Sequence, residues 1–375
     1  MLTISRRHFI GTLSAATLAL RLNAEPSAAN TLFLGNGGNE GIFSASWNAA
    51  TGDLGPLQLA AACPQPGFLA LGPQGRIYAV GDANTPKGAV FAFERKGAKL
   101  TALNQISSGG TDPCHIALSG PFSSQGWAFV ANYDSGQVLA TRIQPDGKLL
   151  EMGTAENFNE HSGPTTRREQ VSHTHWSTVA PNGRFVYIND LGRDRIWLHQ
   201  FHPQNGLTLR AEQSFVATPG SGPRTLHFHP HLPLAYSVNE VDSTVELLAW
   251  NAETGGLTSV ERYNLVPEDY TGPSAGCDLV IPQDARHLYA INRFDNFVAT
   301  YAVHPKTGRL SLLERADCGG KKPRHLALDP TERWLLIANQ DSGNIAILPR
   351  NSATGRLGKI LQDIKTASPM CLLFV

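Results

Sequence analysis

The sequence has no excess of charge of either sign, since Lys and Arg together number 31 and Asp and Glu together also number 31. A balanced chain creates no global field that would attract nucleic acid or an anionic membrane surface. Charged residues make up 17% of the chain and apolar residues 41%, a composition that permits a large core and argues against disorder. We therefore expect a small-molecule ligand and no nucleic-acid partner.

Cysteine is scarce as well, and none of the five cysteines belongs to a CxxC pair. A chain of this size does not need a disulfide framework, so we interpret them as small buried apolar residues, with one optional bridge. Metal-ligand spacings are also missing, because His173 and His175 lack Cys or carboxylate neighbours at zinc spacing. The sequence therefore predicts neither a metal nor another cofactor.

No apolar run at the N-terminus is long enough to cross a bilayer, since the stretch from Gly11 to Leu20 has about half the required length. Twin arginines, Arg6 and Arg7, precede this stretch, and small residues follow it up to Ala29. The pattern resembles a bacterial twin-arginine signal, which exports folded proteins, with a disordered basic tail as the alternative. We predict a signal over residues 1–29, a single domain over 30–375 and a periplasmic location without membrane attachment after cleavage.

Glycine and proline are plentiful, at 36 and 24 residues, and the chain carries an internal repeat of short β-rich runs. An apolar run that ends in Asn or Asp recurs at intervals of about 50 residues. Its seven end points are Asn36, Asp82, Asn132, Asn189, Asn239, Asn292 and Asn339. A second β-rich run and a Gly-x-Leu turn follow most copies, and no helical stripe occurs. This period is typical of the blades of a β-propeller.

Each repeat also opens with a strand of its own, such as Pro223 to Pro230 or Pro323 to Pro330. The last copy of this strand starts at Pro369 and ends the chain, and the run that should follow it is found at the N-terminus, in TLFLGN. We predict an all-β, seven-bladed β-propeller whose C-terminal strand joins the N-terminal blade, which removes the open sheet edge. We expect a monomer.

Charged residues follow the same register in four successive blades. In an antiparallel blade the start of the first strand and the end of the second lie at the same edge, here one mouth of the central channel. The residues at these positions in blades four to seven are His175, Asp190, Arg224, Glu240, Arg293 and Arg324. The matching positions in the earlier blades are mostly small.

The residue types of this cluster are those of a site for anions. Arg binds carboxylate or phosphate through two parallel hydrogen bonds, and Glu or His beside it can transfer protons. Solvated charges or pairs that hold blades together are the alternative interpretation. His115 and His325 lie one residue farther along their strands, so we expect them to be structural, as we do His227, His229 and His231.

An insertion between Glu160 and Ser172 accounts for the longest interval between repeats. We expect it to lie at the same mouth and to close over a ligand. Arg167, Arg168 and Gln170 are its candidate contacts.

The motifs SGPTTRREQVSHTH, GPRTLHFHP, YSVNEVDSTV and LYAINRFDNFV extend the interpretation to a known family. Together they resemble the lactonase-type seven-bladed propellers, which include bacterial 6-phosphogluconolactonases and a fungal carboxymuconate lactonizing enzyme. The residues proposed for catalysis in the fungal enzyme correspond here to His175 or His173, Arg224, Glu240 and Arg293. The family motif GPRH reads GPRT in this chain, and we expect Thr225 to alter packing more than chemistry.

The resemblance implies hydrolysis of a sugar-acid lactone by four catalytic residues, which are His175, Arg224, Glu240 and Arg293. The missing metal-ligand spacings indicate that this reaction needs no metal. His173, Asp190, Arg324, Arg168 and Gln170 are the predicted substrate contacts. The partner would then be a lactone or carboxylate. Two alternatives are the reverse reaction, lactonization of a muconate, and a propeller that binds a ligand without converting it.

Overall fold

In a computed structural model, thirty short β-strands joined by tight turns make up nearly all of the regular structure of the described residues. The structure describes residues 30–82, 88–119, 126–151, 153–158 and 171–375. The predicted signal segment and the insertion residues Arg167, Arg168 and Gln170 lie outside the described residues. Within those ranges no helix has the length and apolar character that crossing a membrane requires.

Seven antiparallel sheets follow one another along the chain. The first three contain β1 (Asn30–Asn36), β2 (Ile42–Asn48), β3 (Asp53–Leu54) and β4 (Gln58–Ala61); β5 (Phe68–Leu71), β6 (Ile77–Gly81), β7 (Ala89–Lys96) and β8 (Lys99–Ser107); and β9 (Pro113–Ser119), β10 (Gly126–Asn132), β11 (Gln137–Ile143) and β12 (Thr154–Asn157). The fourth contains β13 (Thr174–Val179), β14 (Phe185–Asp190), β15 (Arg195–His202), β16 (Gly206–Leu209) and β17 (Phe215–Val216).

The last three sheets have four strands each. They contain β18 (Pro223–Phe228), β19 (Leu234–Asn239), β20 (Thr244–Trp250) and β21 (Leu257–Asn264); β22 (Gly276–Val280), β23 (His287–Asn292), β24 (Phe297–Val303) and β25 (Leu310–Asp317); and β26 (Pro323–Leu328), β27 (Trp334–Asn339), β28 (Asn344–Pro349) and β29 (Gln362–Lys365). The final strand is β30 (Pro369–Phe374). Two 3-10 turns, Pro73–Gly75 and Ala211–Gln213, complete the described elements.

The C-terminal strand closes the ring, as the sequence predicts. Strand β30 pairs antiparallel with β1, so that Phe33 lies opposite Leu373 and Gly35 opposite Cys371. The backbone groups of Thr31 and Val375 extend this ladder by two hydrogen bonds. The first blade thus takes its innermost strand from the other end of the chain, and the seven-bladed β-propeller is confirmed.

The apolar core lies between blades and not within any one of them. Strands β10, β14, β23 and β27 are buried at every position, because each is second from the channel and covered on both faces by its neighbours. One cluster joins Trp47 of the first blade to Leu336 of the seventh, and another joins Tyr236 of the fifth to Leu288 of the sixth. All five cysteines are free, and four of them are buried.

Buried tyrosines on the second strands connect successive blades. In each case the phenolic hydroxyl donates a hydrogen bond of 2.6 to 2.8 Å to the carbonyl of a turn glycine in the next blade. The four pairs are Tyr78 with Gly147, Tyr187 with Gly255, Tyr236 with Gly308 and Tyr289 with Gly355. All four glycines have positive φ, which explains the recurrence of glycine in these turns.

The change Tyr236→Phe should lower the free energy of unfolding by about 1–3 kcal/mol, because it leaves the buried Gly308 carbonyl without its donor. Denaturant unfolding followed by circular dichroism measures this loss. Tyr270→Phe is the control, since the Tyr270 hydroxyl bonds to the Pro273 carbonyl in an exposed position. An equal loss in both variants would contradict a role for the interblade bond.

Candidate active site

A β-bulge lies at the start of the innermost strand in six of the seven blades. At each bulge the register skips one residue, which has no partner across the ladder. The skipped residues are Cys114, His175, Arg224, Cys277, Arg324 and Met370. A bulge changes the direction of the side chain that it frees, and five of these six side chains line cavities at one end of the channel.

The bulges correct the predicted register in two blades. In the sixth blade the mouth position belongs to Cys277, not to Gly276, because Gly276 pairs with Asn292. In the fourth blade Asp190 pairs with Thr174, just as Asn239 pairs with Pro223 in the fifth. Asp190 therefore takes the place of the anchoring Asn, one residue later than expected.

Asp190, a predicted substrate contact, anchors loops in this structure, and it is not among the residues that line the two cavities described below. Its fully buried carboxylate accepts hydrogen bonds from the Ser172 hydroxyl at 2.6 Å and the Trp197 indole at 2.9 Å. It also accepts from the backbone N–H groups of His173, Gly192 and Arg193 at 2.9 to 3.1 Å. Burial raises the pKa of this carboxyl, against the lowering effect of the bonds that it accepts.

Glu240 lies between two arginines. One carboxylate oxygen is 3.0 Å from Nε of Arg224, and the other is 2.5 Å from Nη2 of Arg293. Arg224 also donates from Nη1 to the carbonyl of Cys277, the bulged residue of the next blade. The Arg224 and Glu240 side chains are only 3% and 4% exposed, against 13% for Arg293. Arg293 is thus the most exposed member of this trio.

His175 is buried beside this trio and lacks a hydrogen bond at Nδ1 among the described residues. Burial, together with the positive charges of Arg224, Arg324 and Arg293, holds the pKa of His175 well below 6.5. The imidazole is therefore neutral at neutral pH. An unpartnered buried nitrogen on a titratable ring is costly, and such groups concentrate at functional sites.

His173, the other histidine of the motif, packs against Tyr133, which in turn contacts His175. His173 Nδ1 lies 3.1 Å from the carbonyl of Tyr133, and the two rings stack at 4.6 Å. Tyr133 then meets the His175 ring edge-on at 5.8 Å. Of the two histidines, His175 lines the cavity and His173 packs against Tyr133.

Two adjoining cavities make up the candidate active site. The narrower one has a volume of about 150 Å³. It is lined by Asp112, Cys114, Tyr133, His175, Glu240, Arg293 and Arg324. The wider one, of about 360 Å³, shares Asp112, Cys114 and Arg324 with it. Burial lowers the pKa of Arg324, and the nearby Arg224 adds to this effect.

Two lining residues, Asp112 and Tyr133, are not among the charged mouth residues that the sequence register selects. Asp112 lies in the turn before β9, at a φ of 53°, where no periodic pattern marks it. Tyr133 occupies the position after an anchoring Asn, but it is uncharged, and so is Cys114 at the bulged position of the same blade. His115 and His325 are structural, since their Nδ1 atoms accept the backbone N–H groups of Ser177 and Leu372.

Over the described ranges, no three His, Cys, Asp or Glu side chains are grouped so that they could hold a metal ion.

Similarity to known proteins covers nearly the whole chain. The protein family described as lactonase, 7-bladed beta-propeller, matches residues 29–374. The chain belongs to this lactonase family. Within it, the 6-phosphogluconolactonase of Bacillus subtilis is 30% identical over 341 residues, which cover 90% of this chain and 95% of the relative. The 6-phosphogluconolactonase of Formosa agariphila is 28% identical over 337 residues, covering 86% and 92%.

A solved structure shows the same lactonase architecture. The periplasmic gluconolactonase PpgL of Pseudomonas aeruginosa is 28% identical and superimposes with a TM-score of 0.85. The match covers 92% of this chain and 99% of that structure. The family expected from the sequence motifs is therefore confirmed.

The change Asp190→Ala should lower the free energy of unfolding by about 3 kcal/mol or more, because it leaves several buried donors unsatisfied. Guanidinium unfolding measures this loss. Asp341→Ala, which removes a surface partner of Lys322, should cost no more than about 1 kcal/mol. A stable Asp190→Ala protein with an altered KM would contradict the structural role and support Asp190 as a substrate contact.

Proposed function

We propose that this lactonase-family protein hydrolyses a sugar-acid lactone to its hydroxy acid. The observation that carries the proposal is the neutral His175, which faces the guanidinium groups of Arg293 and Arg324 across one cavity. This combination offers a proton acceptor and stabilising cations at the same place. The names of the relatives, 6-phosphogluconolactonase and gluconolactonase, support the same reaction.

In the proposed mechanism Arg293 and Arg324 donate hydrogen bonds to the carbonyl oxygen of the lactone. Water attacks the carbonyl carbon, and His175 accepts one proton from it as the new C–O bond forms. The arginines stabilise the oxyanion that develops. The ring C–O bond then breaks, and the leaving alkoxide takes the proton from His175, which gives the hydroxy acid and restores the neutral imidazole.

Glu240 and Arg224 have positioning roles in this mechanism. Both oxygens of Glu240 are bound to guanidinium groups, so we assign proton transfer to His175 and not to Glu240. Arg224 is buried and holds Glu240, which in turn fixes Arg293. A buried ion pair of this kind is costly to break, because the remaining charge has no other compensation.

We also propose that residues 1–29 are a twin-arginine signal and that the domain over residues 30–375 acts as a monomer in the periplasm. The pair Arg6 and Arg7 before an apolar stretch supports export. The similarity to a periplasmic gluconolactonase supports the location.

The purified protein should release acid from gluconolactone faster than buffer alone does, and Arg293→Ala should lower kcat/KM at least about tenfold. The reason is the loss of a cation that stabilises the oxyanion. Titration at constant pH measures the rate, and thermal unfolding checks that the variant is folded. Arg262→Ala is the matched control, since Arg262 pairs with Asp242 outside the two cavities. Equal rates in both variants would exclude Arg293 from the reaction.

The dependence of kcat/KM on pH should reveal His175 as the base. Neutral imidazole is the active form and its pKa lies below 6.5, so activity should decline only below pH 6.5. Arg324→Gln removes a nearby positive charge, which raises the pKa of His175, so the decline should start at a higher pH. Lys365→Gln, on the outer strand β29, should leave the profile unchanged. An unmoved profile in Arg324→Gln would argue against His175.

A further inference from the structure

Small residues from the first three blades line much of the wider cavity beside His175. Glycines 37, 67, 81 and 88 and Cys114 line it, together with Met370, the bulged residue of the first blade. The bulged positions of blades four, five and seven carry His175, Arg224 and Arg324. Its volume of about 360 Å³ adds to the narrower cavity, with which it shares Arg324. The two together reach the size of a small-molecule site, which begins at about 300 Å³.

The carboxylates of Asp82, Asp112 and Asp134 line this wider cavity. Among the described lining residues Arg324 is the single cation, and it lies on the wall shared with the narrower cavity. Burial raises the pKa of Asp112, and the negative charges of Asp134 and Asp82 raise it further, while Arg324 lowers it. The carboxylates therefore already repel one another before any ligand binds.

A second feature, independent of these acids, indicates that a ligand binds here. The Nδ1 atom of His175 is buried without a hydrogen-bond partner among the described residues, and its ring lines the adjoining cavity. A ligand whose reacting group lies against His175, Arg293 and Arg324 can extend its remaining atoms into the wider cavity, which shares Asp112, Cys114 and Arg324 with the narrower one.

We propose that the wider cavity binds the hydroxylated, uncharged end of the lactone and discriminates against a phosphate at that end. This inference rests on the proposed lactonase function and specifies its substrate class. Carboxylates accept hydrogen bonds from sugar hydroxyls, and Thr111 and Gln65 add neutral polar groups to the same wall. A phosphate carries two negative charges or nearly so, and three carboxylates would repel it.

The test compares glucono-1,5-lactone with its 6-phosphate in the native protein and in a variant carrying Asp112→Asn and Asp134→Asn. The native protein should prefer the unphosphorylated lactone by at least about tenfold in kcat/KM. The variant should reduce this preference at least about threefold, because Asn keeps the shape and removes the charge. Asn also tolerates the left-handed backbone of Asp112, at a φ of 53°. Asp363→Asn, paired with Lys365 on an outer strand, is the control with unchanged preference.

A substitution that fills the wider cavity tests the same proposal by steric exclusion. A Cβ added at Gly67 would make ordinary van der Waals contacts and no clash, since its nearest neighbour is the Met370 methyl at 3.6 Å. The backbone of Gly67 lies outside the left-handed region, so Gly67→Val should fold. It should lower kcat/KM for gluconolactone at least about fivefold more than for δ-valerolactone, which has no hydroxyl groups.

The outcomes separate this inference from the function on which it rests. Equal or faster hydrolysis of the 6-phosphate would overturn the inference and leave the lactonase function standing. A Gly67→Val protein that loses both lactone activities equally would also overturn it. Acid release from neither sugar lactone by the native protein would overturn the proposed function itself.

Discussion

In six blades the first residue of the innermost strand pairs with the anchoring Asn or Asp at the end of the second strand, and the residue that follows it is skipped in the ladder. The anchor holds the loop at the mouth through its side chain, as Asn132 does by donating to the Ser108 carbonyl. In the fourth blade Asp190 does the same as an acceptor. Because the anchor fixes the start of the inner strand, the skipped residue has a defined direction, and the site depends on this geometry.

Burial then determines what the skipped residues can do. Arg224 is neutralised by Glu240, and the resulting trio with Arg293 presents one guanidinium group to the cavity. Among the described residues His175 has no acidic partner of this kind, so burial and the surrounding cations keep it neutral. A substrate that develops negative charge beside it would reverse this balance, because an oxyanion offsets the cations and favours the protonated ring. Charge on the substrate and proton uptake by His175 are thereby coupled.

The blades and the closure of the ring could be predicted from the sequence because both follow from a repeat of constant register. The register failed at Asp190 and Gly276, where a bulge shifts the pairing by one residue and the spacing of Pro and Asn does not reveal it. Asp112 lies in a turn and carries no periodic signal. The hydrogen bond from Tyr236 to Gly308 joins residues 72 apart, and such contacts between repeats depend on the packing of blades, not on the pattern within one blade.

A bulged residue takes no part in the ladder of its strand, so its side chain can change without altering any backbone pairing. In this one chain the same backbone geometry carries a thiol, an imidazole, a guanidinium and a thioether at Cys114, His175, Arg224, Cys277, Arg324 and Met370. The fold can therefore be kept during evolution while the reaction changes. A descendant of this propeller could acquire a different chemistry through single substitutions around the mouth while every strand keeps its neighbours.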